Sequence, residues 1–268
     1  MWYLLQLEWK KWHKHLLVRI LVIFYAILLP SILLLIKKLP EVPPEIGTKE
    51  VLYIFPTVWE YLAYIGNWLS FFFLGFLSVI IISTEYGNRT LRQNVIDGLS
   101  RRDFVLGKLY LVGTIALSAT LYYVICALVI GFFHTEVIFW PKIWQHSDLI
   151  FRYFLATSAY MVFGLWVGFL VGHSALALIL YMSYIMMLEP LLRWGVHQNI
   201  TRHRSMHFYP MNAVEDLLPA PNTEIAAEFM EDFGFTLFLT PTEAVITTLL
   251  YSSLFIVLIF MKIRKEDL

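Results

Sequence analysis

Residues 153–188 read YFLATSAYMVFGLWVGFLVGHSALALILYMSYIMML, thirty-six positions without a formal charge. As one straight helix this run would be ~54 Å long, against a hydrocarbon core of ~30 Å. It must fold back, and Gly172-His173-Ser174 is the natural corner. Working outward, Ile20 to Ile36, Tyr61 to Thr84 and Leu109 to Phe133 are also uncharged and close to or beyond spanning length, and Ala244 to Met261 supplies a sixth span. The prediction is an all-α membrane protein, a single transmembrane domain over 1–268 with spans at about 16–36, 60–84, 108–133, 152–171, 174–190 and 243–262. An even number of spans returns both termini to one side.

Composition agrees. The chain is 59% hydrophobic and 15% charged, where a soluble domain carries about 25% charged residues. Formal net charge is zero, and the basic clusters flank spans, so nothing calls for a nucleic-acid partner. The single cysteine, Cys126, has no intrachain partner and leaves the redox compartment open. The first apolar run lacks a small-residue cleavage site and reads as a retained helix rather than a removable signal.

Basic residues set the orientation. With the termini inside, Lys10, Lys11, Lys14, Arg19, Arg89, Arg92, Arg101, Arg102, Lys108, Lys262, Arg264 and Lys265 all fall on the cytoplasmic side, at about three times the density of the other side. This predicts an integral protein of the bacterial cytoplasmic membrane with both termini cytoplasmic. Residues 1–15 place Trp2, Leu5, Trp9 and Trp12 at helical spacing among lysines, the pattern of an amphipathic helix lying in the lipid interface. Segment 85–107 is polar, opens on capping residues and a glycine, and repeats Leu91, Val95, Ile96 and Leu99 at helical spacing, which predicts one amphipathic helix parallel to the membrane. On the far side, residues 191–242 form a long external loop whose prolines exclude one long helix; within it 222–233 could form a short helix and 235–239 could dip back into the membrane.

These residues resemble the membrane subunits of type-two ABC exporters, the fold shared with ABCG-like transporters. The likeness rests on Glu85-x-Gly87-x-x-Thr90-Leu91-Arg92, then Leu99-Ser100-Arg101-x-x-Phe104, then Lys108, between the second and third spans. Glu8-Trp9-Lys10-Lys11 before the first span and Arg264-Lys265-Glu266-Asp267-Leu268 at the end are weaker echoes. The resemblance implies a coupling helix in 85–107 seated in a groove of an ATPase subunit. It also implies a second permease subunit, identical or not, beside this one. No Gly-x-x-x-x-Gly-Lys-Ser/Thr loop is present, so the chain is expected to bind no cofactor of its own and to catalyse nothing by itself, ATP and Mg sitting on the partner.

Other groups invite weaker readings. His197, His203 and His207, with Glu215 nearby, could bind a metal but lack a tight ligand spacing. Glu60, Glu189 and Glu243 are expected at span ends in contact with headgroup water. Asn67, Thr114, Ser118, Thr120, Ser158 and Ser183 could line a path or pack helix on helix, and Gly164-x-x-x-Gly168 points to close helix contact. The aromatic residues, Trp59, Trp68, Trp140, Trp144 and Trp166 among them, are expected mostly in lipid-facing or belt positions, and such walls would also suit an apolar or amphipathic cargo. The leading expectation is a permease subunit of an ATP-driven exporter. The alternatives are a mechanotransmission subunit acting on an envelope partner without moving cargo, and a polytopic membrane enzyme using His173, Glu189 or the external histidines.

Overall fold

Small residues decide which helix sits at the centre. In the computed structural model, which describes residues 2–36, 49–87, 90–96, 98–201, 203–221 and 238–265, six helices are long and apolar enough to cross a membrane: Leu16–Ile36, Thr57–Gly87, Arg101–His134, Trp140–Val171, Ser174–Ile200 and Pro241–Lys265. The chain is an integral membrane protein by this measure, and the described residues contain no strand. The fourth span is the hub, packing against the second, third, fifth and sixth. Its most apolar stretch is 72% buried within the bundle, against 17% for the first span and 22% for the fifth, which leaves those two for lipid.

The hub depends on Gly164 and Gly168. A Cβ at Gly164 would stand 2.7 Å from the Gly75 carbonyl oxygen and would collide with Ser78 Oγ; one at Gly168 would run into the Ile82 side chain. The second and fourth spans thus meet backbone to backbone, the close approach that the four-residue glycine spacing predicted. At the fold-back, Gly172 takes φ +68° in the left-handed region that side chains rarely adopt. His173 then caps the fifth span, its Nδ1 accepting from the Leu176 N–H at 3.5 Å.

All six spans run longer than their uncharged cores. The second begins at Thr57, the third at Arg101, the fourth at Trp140, and the fifth continues to Ile200 rather than ending near 190. A helix need not stop where charge begins when the charged side chains find partners or reach the interface. Pro190 does not end the fifth span: it sits between two stretches of wider helical turn, Tyr184–Leu188 and Leu191–His197, that absorb its missing donor. The external loop is shortened accordingly. Its expected helix at 222–233 and most of the expected dip at 235–239 lie outside the described residues.

Gly164→Leu or Gly168→Val should overpack this contact and destabilise the bundle by ~1–3 kcal/mol or more, read as a lowered midpoint of thermal unfolding in lipid nanodiscs. Gly113→Ala, where an added Cβ meets nothing within 4 Å, should leave the midpoint unchanged.

Candidate functional site

The end of the bundle that carries both termini is held by buried charge. The N-terminal helix Trp2–Trp12 has two faces: Glu8 and Trp12 are buried, while Trp2 and Trp9 are 71% and 66% exposed. The inward face packs on the third span, where Gly107 leaves room for Glu8 and Leu4. Lys108, wholly buried, donates to Glu8 Oε2 at 2.5 Å and to Glu85 Oε1 at 2.6 Å. Trp12 Nε1 donates to the same Glu8 oxygen at 3.0 Å, and Lys11 donates to Glu85 Oε1 at 3.3 Å. The Lys108 ammonium also lies 5.2 Å from the Phe104 ring centre and 5.7 Å from that of Trp12. Two carboxylates and two ammonium groups balance, the condition under which buried ions are tolerable.

Three separate segments meet there, namely the N-terminal helix, the end of the second span and the start of the third. The residues singled out from the sequence divide between this junction and its margins. Glu8, Lys11, Glu85, Phe104 and Lys108 converge; Trp9 and Lys10 face away. Thr90 Oγ1 donates to the Glu85 carbonyl at 3.1 Å, which ties the short helix Thr90–Ile96 to the second span. The Leu99 N–H closes the far side by donating to Asn94 O at 2.9 Å. Of Leu91 and Arg92 only the backbone is described. Ser100 starts the third span as its cap, accepting from the Asp103 N–H at 3.0 Å. Arg101 reaches the last span instead, donating to the Ile263 and Arg264 carbonyls at 3.2 and 3.0 Å.

The single amphipathic helix expected over 85–107 is therefore three pieces. Glu85 and Gly87 finish the second span, Thr90–Ile96 stands alone, and Arg101 onward belongs to the third span. The Ser100 cap and Gly98, at φ +95°, break the run.

At the opposite end a second polar network corrects an expectation. Glu189 is not at a wet span end but 1% exposed, inside the fifth span. Its two oxygens accept from the Met211 and Asn212 N–H groups at 3.1 and 2.6 Å. Those are first-turn donors of the short helix Pro210–Glu215, which have no partner within that helix. Arg193, also buried, donates through Nε to Met206 O at 3.1 Å and lies 3.4 Å from His207 Nδ1. Asp216 Oδ2 accepts from Asn212 Nδ2 at 2.9 Å and from the Leu239 N–H at 3.0 Å. Burial pushes the Asp216 carboxyl up to about 7 against these hydrogen bonds and Arg193; burial does the same for Glu215, also to about 7, opposed by Arg193 and reinforced by Glu189 and Asp216.

The histidines take local roles. His197 Nε2 lies 2.9 Å from Ser205 Oγ, His203 caps the Ser205 N–H, and His207 joins Arg193. Among the described residues no three metal-ligating side chains converge. Glu243 does sit at a span end, paired with Arg204 at 2.6 Å. Trp59 departs from the lipid-belt expectation: it is wholly buried, with Nε1 donating to Ile143 O at 2.8 Å. Thr114, Ser118 and Thr120 satisfy their hydroxyls on carbonyls one turn back in their own helix. The contribution of Glu189 and Arg193 was missed because their partners lie 13 to 23 residues further on in a segment without periodicity; Pro210 ahead of Met211-Asn212 is the one local signal of a helix start.

Lys108→Met strands Glu8 and Glu85 without their buried cation and should cost ~3–5 kcal/mol, seen as a lowered unfolding midpoint in nanodiscs that exposed Lys10→Met does not reproduce. At the other end, the sign follows from carboxyls whose folded proton affinity exceeds the unfolded value of ~4. Their stabilisation is full below ~pH 4 and is lost as pH rises through about 7. Unfolding midpoints should fall over that window, and the Glu215→Gln/Asp216→Asn double variant should flatten the slope.

No curated protein matches the chain. A family model described as a protein of unknown function (DUF2705) matches residues 44–268, a stretch that takes in Glu85, Lys108, the Glu189 network and five of the six spans. On that match, the chain belongs to the DUF2705 family.

Proposed function

We propose that this chain is the membrane-spanning permease subunit of an ATP-driven exporter of the type-two ABC class, working with separate ATPase subunits and a second permease subunit. The observation that carries the reading is the buried Glu8–Lys108–Glu85 junction. It joins the N-terminal helix and the two spans on either side of Thr90–Ile96 into one rigid unit. Force applied to that short helix by a partner reaches both spans, because every link is a hydrogen bond or ion pair between buried or helical groups. Arg101 extends the same unit to the end of the sixth span. Ser83 Oγ, 2.9 Å from Ser174 Oγ, adds the start of the fifth.

In this reading the junction faces the cytoplasm, in keeping with the density of basic residues around it, in a bacterial cytoplasmic membrane. The chain holds no nucleotide; ATP and Mg are bound by the partner ATPase. It has no catalytic residue of its own, and its work is to pass closure of the ATPase pair to the helices between which cargo moves.

Purification of the tagged chain from its native membrane should bring down a protein with a phosphate-binding loop, and the reconstituted assembly should move cargo with ATP. Arg101→Ala should keep insertion and ATP hydrolysis but lower ATP-linked transport several-fold. A purified assembly without an ATPase, or chemical labelling that places Thr90–Ile96 on the outer face, would overturn the proposal.

A further inference from the structure

A cavity of about 360 Å³ lies between the second span, the fourth span, the outer half of the fifth and the helix Pro210–Glu215. Its size falls in the range of small-molecule sites, roughly 300–1,000 Å³. Tyr64, Trp68, Phe71 and Tyr160 give it aromatic walls, and Asn67, Glu215 and Asp216 give it polar ones. We infer that this cavity binds a primary organic ammonium carrying a flat aromatic body.

The argument rests on which polar atoms are already used. Asn67 is 5% exposed, and among the described residues its buried Oδ1 has no hydrogen-bond partner, an arrangement that costs free energy unless a donor arrives. Among the described residues the half-buried Glu215 carboxylate has no hydrogen-bond or ion-pair partner. Both hydrogen bonds to Asp216 fall on Oδ2. Unused acceptors thus stand on three of the lining side chains, and they suit a ligand with several N–H donors. Arg193 also lines the cavity, which would suit an anion, but its Nε and one terminal nitrogen are held by Met206 O and His207, and its guanidinium lies 5.8 Å from the Trp194 ring centre. Against its one positive charge stand Glu215 and Asp216, so the lining favours a cation. Aromatic faces add to that preference, since a ring attracts a cation and stacks on a flat partner. The raised proton affinity of both carboxyls fits a site whose cation is yet to arrive, and binding should release protons near neutral pH.

As a binding site this stands on the cavity alone; as the chemistry of a cargo it rests on the transport proposal. The test uses the full chain in nanodiscs and titration calorimetry with three probes sharing one ring system: tryptamine, the neutral tryptophol and the anionic indole-3-propionate, with empty nanodiscs subtracted. Tryptamine should bind saturably and at least about tenfold more tightly than tryptophol, with a heat that depends on the buffer's ionisation enthalpy. Glu215→Gln and Asn67→Leu should each weaken tryptamine about tenfold or more while leaving tryptophol affinity unchanged. Absent tryptamine binding, equal binding of all three probes, or tryptamine affinity untouched by both variants would overturn the inference. If tryptamine selectivity holds but no ATPase co-purifies, the transport proposal falls and the site remains. If an ATPase co-purifies and tryptamine fails, only the site falls.

Discussion

A lysine shut away from water must be neutralised where it stands, and Lys108 meets that demand with carboxylates from two other segments. Much of the architecture at the terminal end follows from this one requirement. Glu8 can serve only if the N-terminal helix lies flat on the third span, and Glu85 only if the second span stays helical through its last turn. The hydrophobic effect does not prescribe such a geometry, because lipid accepts apolar surface in many arrangements. Ion pairing in a dry site accepts few.

The middle of the bundle uses a different device. There the fourth span approaches the second through Gly164 and Gly168, and buried tyrosines knit neighbours by their hydroxyls. Tyr25 and Tyr153 meet at 2.5 Å, Tyr123 donates to Trp59 O at 2.9 Å, and Tyr181 donates to Phe71 O at 3.2 Å. Dispersion and a few hydrogen bonds supply cohesion where no water is present to drive helices together. The far end returns to polar chemistry: Glu189 completes the start of the helix Pro210–Glu215, and that helix closes over the aromatic cavity. One face of the protein is thus locked by compensated charge, while the other keeps unspent acceptors.

Five uncharged runs, one of them long enough for two spans, and the fold-back at Gly172 were legible in the amino-acid order because the membrane imposes a minimum length that local composition reports directly. The contact at Gly164 and Gly168 was legible for a similar reason, since a glycine pair on one helical face has few other uses. Individual residues of the charged junction could be singled out one by one: Lys11 and Lys108 as basic residues flanking spans, Glu8 and Glu85 through the family resemblance. Their convergence could not be read, because Glu8 and Lys108 are a hundred positions apart and nothing local tells a lysine that faces headgroups from one that is buried. Glu189 and Trp59 were misjudged for the same reason: each looks like an interface residue by position, and each is buried by partners from distant segments. Span number and the fold-back depended only on the sequence's own periodicity and length, whereas the ion junction, the true helix ends and the acceptor-lined cavity were decided by tertiary packing, which alone determines the partner each charge meets and the water it loses.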